Sequence, residues 1–285
     1  MGVLLPHREF RGRVSDLHTF DLPNGADLPG GKSITVRLAD CDGERSTANM
    51  LINRKYARRG YGAHHKVPTA SNCVTFTATS KGATIGTLSL TVDSPDGLAC
   101  DKTFKEELDK FRAVPGARLC ELTRFAFDTS KPSLHLLASL FHIIFIYGTH
   151  HYQCTDLFIE VASRHRRFYQ AMLGFHPVCE PKVNDAVGVP SNLMWLKVSD
   201  IRQLIDRHTK EGVGSSHSLY SFFFSEKEEL GIYNRLANNA PEPAPRVNGK
   251  RFAEKVERVL GRLPSKSSLR VDGRRRTGPR TPALA

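Results

Sequence analysis

Residues 120–128 read Cys120-Glu121-Leu122-Thr123-Arg124-Phe125-Ala126-Phe127-Asp128, and a long apolar run from Leu134 to Tyr147 follows them. The first segment is rich in β-formers and the second, spanning about 133–149, is a helix apolar over most of its surface, which must bury that surface against a sheet. A strand running into a sheet-covering helix places the chain in the α/β class. The strand also carries a carboxylate and a guanidinium among apolar neighbours. Burial raises a carboxylic acid's pKa into the range of a general base, whereas an arginine stays cationic and can hold an anionic substrate. A strand-end ion pair accounts for the same two residues.

Working outward, the order of elements is that of a central mixed, twisted β-sheet flanked by helices. A strand covers Ile34 to Ala39, and Asp42 or Ser46 caps a helix that runs to about Arg59, where Gly60 and Gly62 end it. Cys73 to Thr79 and Thr84 to Val92 are strands joined at Lys81-Gly82, a hairpin signal. Thr103 to Ala113 has helical apolar spacing, and Arg118 to Phe127 is the strand quoted above. Thr155 to Val161 is a further strand, Ser163 caps a helix Arg164 to Leu173, Phe175 opens a strand after Gly174, and Asn192 to Val198 gives the last one. Crossover helices between neighbouring strands predict a ligand cleft at the strands' carboxyl ends.

The 285 residues, 40% of them hydrophobic, suffice for one main domain. We divide the chain into an irregular lead-in (1–32), a core (33–200), a helical extension (201–245) containing Phe222-Phe223-Phe224, and a basic tail (246–285) with a short helix at 250–261 and disorder beyond 264. The formal charge of +12 is concentrated in that tail. Residues 246–285 carry 12 Lys and Arg against 3 Asp and Glu, so nine of the net charges lie there and three remain for the rest. A nearly balanced body argues against specific nucleic-acid binding, while Arg274-Arg275-Arg276 suits peripheral contact with an anionic membrane. The six cysteines lack CxxC spacing, His64-His65 and His150-His151 diverge, and no metal is expected. Reduced thiols, no signal-peptide pattern and no apolar run long enough to span a bilayer predict a cytoplasmic protein.

The element order, with Arg166-Arg167-Phe168-Tyr169-Gln170-Ala171-Met172-Leu173-Gly174-Phe175, resembles the GNAT acyltransferase fold, in which a tyrosine precedes Gly-Phe. Glu121-Leu122-Thr123-Arg124-Phe125 resembles the Glu-x-Ser-Arg-Phe motif of acyl-homoserine-lactone synthases, with threonine in place of serine. Three further stretches resemble the FeeM-like long-chain N-acyl amino acid synthases: Tyr56-Ala57-Arg58-Arg59-Gly60-Tyr61, Asp93-Ser94-Pro95-Asp96-Gly97-Leu98 with Glu106-Glu107-Leu108-Asp109-Lys110-Phe111-Arg112, and Arg164-His165-Arg166-Arg167-Phe168-Tyr169. Together these cover about residues 34–198.

That resemblance implies transfer of a long-chain acyl group from the phosphopantetheine thioester of acyl carrier protein to an amino acid's α-amine, with no tightly bound cofactor. For that chemistry Glu121 is the first base candidate, directly or through water, and His165, at a helix N-terminus, the second, while the resemblance implies that Tyr169 is the acid that protonates the leaving thiolate. Arg124, Phe125, Phe127 and Asp128 are the substrate-binding candidates, and strict alternation would put Glu121 and Arg124 on opposite faces unless a β-bulge intervenes. Phe125, Phe127, Leu137, Phe141 and Phe145 could line an acyl tunnel or simply form core. Arg164, Arg166 and Arg167 are candidates for docking the acidic carrier protein. In ordinary GNAT enzymes a glycine-rich loop after this strand cradles the coenzyme A pyrophosphate. Thr129-Ser130-Lys131-Pro132-Ser133-Leu134 contains no glycine, which disfavours coenzyme A as donor. Two rival readings remain at this level: a coenzyme-A-dependent acetyltransferase, and a non-enzymatic GNAT-like module binding through its tail.

Overall fold

A computed structural model describes residues 16–22, 33–62, 64–128, 133–211 and 218–239. All of them lie within one unit, Met1–Pro243. The basic tail, the helix read at 250–261, most of the lead-in and the segment 129–132 fall outside the described residues.

The frame is a nine-stranded sheet: β1 (Asp16–Asp21), β2 (Ser33–Leu38), β3 (Cys73–Ser80), β4 (Ala83–Val92), β5 (Leu119–Phe127), β6 (Asp156–Ala162), β7 (His176–Pro177), β8 (Lys182–Asn184) and β9 (Val189–Lys197). Their order is β1-β2-β3-β4-β5-β6-β9-β7, with β8 also on β9. Among the described residues only β5 and β6 pair in parallel; every other ladder is antiparallel. Lys81 and Gly82 both have positive φ (46° and 77°), the backbone that a tight two-residue hairpin turn demands.

Helix α1 (Asp42–Ala57) begins without the side-chain cap expected from Asp42 or Ser46, and Cys41 occupies the cap position. Helix α2 (Asp101–Arg112) leaves helical geometry at Phe104 and is kinked there. Helix α3 (Leu134–His150) is capped by the Ser133 hydroxyl and buries thirteen of its seventeen residues, as its apolar character requires. Helix α4 (Arg166–Leu173) ends at Gly174, whose φ of 77° makes the left-handed cap. Ser163 does not cap it. Residues Ser163–His165 form a separate 3-10 turn, and the Ser163 hydroxyl accepts from Asn192 instead.

One element corrects the sequence reading, and the helical extension read after residue 200 is present. Residues 16–21, read as irregular, form β1, because an edge strand is specified by its neighbour β2 rather than by its own alternation. Beyond residue 197 the chain makes α5 (Val198–Glu211), a 3-10 turn at Leu219–Phe222 and α6 (Glu226–Asn239). The Phe223 and Phe224 rings stack on the fully buried His142 of α3 at 4.5 and 5.2 Å. His142 Nδ1 accepts from the Phe224 amide at 2.9 Å, and burial lowers its pKa. The half-buried aromatic patch thus packs against the core.

Sheet faces follow the period of two. Cys120, Leu122, Leu157, Ile159 and Met194 face α3, while Leu119, Phe158 and Leu193 face α2. At Gly86 the ring of Phe127 approaches so closely that an added Cβ would lie 2.8 Å from Phe127 Cε1. Gly86→Ala should therefore cost about 1–2 kcal/mol through overpacking and lower Tm by roughly 3–6 °C, measured by calorimetry.

Candidate active site

The cleft exists because β5 and β6 part. Their ladder runs from Leu119–Asp156 to Glu121–Phe158 and stops, while β6 stays on β9 as far as Ala162. Past Glu121, β5 is bulged. Ser89 pairs with Thr123 but Thr87 pairs with Ala126, so two residues of β4 match three steps of β5. Arg124 takes up the extra residue with φ of 55°, and Thr87 Oγ1 donates to its carbonyl at 2.7 Å. The bulge predicted between Glu121 and Arg124 is present, and it flips the strand's facing: Ala126 packs beneath α1 and Phe127 turns to the α3 side. Glu121 and Arg124 consequently open into one cavity of about 690 Å³, the size of small-molecule sites in general.

Glu121 forms part of the floor. It is 2% exposed, and its Oε2 accepts from the backbone amides of Ala99 at 2.7 Å and Cys100 at 3.3 Å, where α2 begins. Burial pushes its pKa up to about 7, against the pull of those amides and the Cys100 thiol, with a further push from the Glu160 carboxylate. The two amides are themselves held by a clamp. Arg112, at the end of α2, donates to both carboxylate oxygens of Asp93 (2.6 and 3.0 Å), to both of Asp101 (2.7 and 2.6 Å) and to Asp109 (2.8 Å). Asp101 Oδ2 in turn accepts from the Leu98 amide at 2.6 Å. The Asp93–Leu98 and Glu106–Arg112 motifs, distant in sequence, meet in this one guanidinium.

Arg124 makes no ion pair among the described residues. It donates to the Lys66 carbonyl at 2.9 Å and the Thr123 hydroxyl at 3.0 Å, so the strand-end pairing with Asp128 or Glu160 is not realised. Asp128 instead pairs with Arg54 at 2.6 Å and Lys55 at 3.4 Å of α1. Phe127 is buried in the core. Both were expected to bind substrate; the bulge and the α1 cations direct them away from the cavity lining. Of the tunnel candidates, Phe125 and Leu137 line the cavity, and Phe141 and Phe145 border a separate apolar void of about 30 Å³ against α3.

His165 and Tyr169 both reach the cavity. Burial, reinforced by Arg164 and Arg59, lowers the His165 pKa, and its Nε2 accepts from Arg164 Nε at 3.1 Å. A neutral ring whose acceptor nitrogen is already engaged is a poor base. Tyr169 has its pKa raised by burial and by neighbouring Tyr56, and its hydroxyl has no hydrogen-bond partner among the described residues. Tyr56, pushed up to about 12 by burial, Tyr61 and His65 complete the aromatic wall opposite. Arg59 from the end of α1 and Lys102 from α2 add cations to the lining, and Glu160 from β6 adds a second carboxylate. Glu160 sits in the apolar strand β6, Tyr56, Arg59 and Tyr61 were legible only as parts of a motif, and nothing in the sequence singled out Lys102. Arg164 is exposed and donates to the Tyr61 hydroxyl at 3.2 Å; Arg167 is exposed and Arg166 half-buried.

A family profile for the N-acyl amino acid synthase FeeM matches residues 47–197. The chain belongs to the FeeM N-acyl amino acid synthase family. It is an acyltransferase with the GNAT fold. FeeM itself, from uncultured soil microbes, is similar in structure at 26% identity and a TM-score of 0.55, over 60% of this chain and 94% of that one. A putative N-acetyltransferase from Lactobacillus plantarum (17% identity, TM-score 0.43, 58% of this chain and 98% of that one) is also similar. So is the AHL synthase LasI (14% identity, TM-score 0.44, 58% and 90%). No curated protein sequence gave a significant match. Among the described residues no helix is long and apolar enough to cross a membrane.

Proposed function

We propose that the protein moves a long-chain acyl group from the phosphopantetheine thioester of acyl carrier protein to the α-amine of an amino acid. The observation that carries this reading is the pairing, in one cavity, of a buried carboxylate poised near neutrality with a guanidinium that has no carboxylate partner among the described residues. A zwitterionic acceptor matches it: Arg124 takes the carboxylate and Glu121 receives a proton from the ammonium. The freed amine attacks the thioester carbonyl. As the C–S bond of the tetrahedral intermediate breaks, Tyr169 protonates the thiolate, and the proton left on nitrogen restores Tyr169 through solvent. Glu121 returns its proton to solvent, so the products are an amide and a free thiol. His165, with its acceptor nitrogen engaged, contributes position and polarity in place of basicity.

The acyl chain runs along Phe125 and Leu137, the apolar side of the cavity. Arg164, Arg166 and Arg167 receive the acidic carrier protein beside the cavity, and the basic tail, 246–285, meets an anionic membrane surface. No tightly bound cofactor takes part. Purified protein incubated with long-chain acyl-carrier protein and the twenty amino acids should yield N-acyl amino acids by mass spectrometry. Its kcat/KM should be at least tenfold higher for acyl-carrier protein than for the matching acyl-coenzyme A, because the segment after β5 has no glycine to close round a pyrophosphate. Equal or better use of acyl-coenzyme A would overturn the donor assignment.

A further inference from the structure

Glu160 has no role in the chemistry above, yet its setting is unusual for a structural carboxylate. Glu121 pairs with Phe158 across the parallel ladder, and Glu160 lies two residues beyond Phe158, so both glutamates project to the α2 side of the sheet and line the same cavity. Glu160 Oε1 accepts from Asn184 Nδ2 at 2.6 Å, Ser191 Oγ at 2.6 Å and, more weakly, Thr103 Oγ1 at 3.5 Å. These donors come from β8, β9 and α2, and all of them are neutral. Among the described residues Oε2 has no hydrogen-bond partner and no cation pairs with the carboxylate. Two carboxylates facing one cavity repel, and a fold that served stability alone would have neutralised one of them. The charge they lack is what an ammonium group supplies.

We propose that Glu160 is the second anionic partner of the acceptor's ammonium group, which bridges Glu121 and Glu160 before the proton moves. The proposal rests on the amine-acceptor reading and deepens it. Glu121 takes one proton, and Glu160 accepts a hydrogen bond from the amine that remains; rotation about its C–N bond then turns the freed lone pair from Glu121 toward the thioester. Asn184 and Ser191 are positioning residues that hold Oε1 and leave Oε2 to the substrate.

Glu160→Gln tests this, because the amide oxygen still accepts from Asn184 and Ser191 while the charge and the second acceptor are lost. The first readout is binding without donor: thermal shift of the wild type and the variant with a mixture of the twenty amino acids, and with the matching 2-hydroxy acids that lack the ammonium. The wild type should prefer the amines and the variant should lose that preference; a wild type indifferent to the amine, or a variant that keeps the preference, overturns the proposal. The second is turnover on long-chain acyl-carrier protein with the amino-acid mixture varied. Half-saturation should rise at least tenfold in Glu160→Gln with kcat changed less than about threefold, and the acid limb of kcat/KM should move to lower pH as Glu121 loses a repelling neighbour. Glu160→Asp, which keeps the charge on a shorter arm, should recover part of the loss. Amine-selective binding lost in Glu160→Gln, with no N-acyl product from wild type, would uphold Glu160 and reject the donor reading. N-acyl products formed with unchanged half-saturation would uphold the function and reject Glu160.

Discussion

Replacing Glu121 with glutamine is expected to lower kcat by about a hundredfold or more on saturating acyl-carrier protein and acceptor, the range in which loss of a positioned general base falls. Glutamine has the same shape and its amide oxygen can still accept from the Ala99 and Cys100 amides, so geometry is kept and only proton acceptance is lost. The pH profile supplies the sign. With a pKa of about 7, Glu121 is active when ionised, so wild-type kcat/KM should fall tenfold per unit as pH drops below about 7, and this limb should vanish in the variant. Stability should move the other way. A buried acid with a raised pKa binds more protons folded than unfolded, so between the ordinary glutamate value and about 7 its ionisation destabilises the fold as pH rises. The glutamine variant should consequently melt no lower than wild type at pH 8. Near-wild-type turnover of Glu121→Gln would remove Glu121 as the base.

Arg112→Ala should produce the second large effect. It strips the partner from Asp93 and Asp101, whose side chains are only 18% and 16% exposed, and unpairing such carboxylates should cost about 2–4 kcal/mol, or roughly 5–15 °C in Tm. For Asp101 burial works against ionisation, but hydrogen bonds from Arg112 and the Leu98 amide outweigh it and the net pKa is lowered. Its contribution is therefore complete above the ordinary carboxylate range and lost as pH falls through it, so the gap in Tm should narrow in acid. A catalytic signature should accompany the loss. If the clamp holds the Ala99 and Cys100 amides against Glu121, loosening it weakens bonds that favour the ionised form, and the acid limb of kcat/KM should shift to higher pH. Arg112→Lys keeps the charge without the forked geometry and should fall between. A variant with lowered Tm but an unmoved acid limb would leave Arg112 as a stabilising residue only.

Much of this protein was legible in its sequence. The strand at 118–127, the apolar helix after it, the Lys81-Gly82 hairpin and the Gly174 helix end all follow from local periodicity and backbone preference, and these span only a few residues. Strict alternation even required the bulge between Glu121 and Arg124. What local pattern could not decide was which distant groups would meet. Asp128 reads as a site residue until α1 brings Arg54 and Lys55 to it from more than seventy positions away. Phe127 reads as a tunnel wall until the bulge at Arg124 turns it into the core. Arg112, Asp93 and Asp101 become one clamp only when the turn before α2 and the kinked helix itself bring them together. Glu160 faces Glu121 only because the single parallel ladder sets β6 in that register and then ends. Short-range pattern determines elements and their faces, whereas the cavity is a property of how strands part, and that depends on packing summed over the whole sheet.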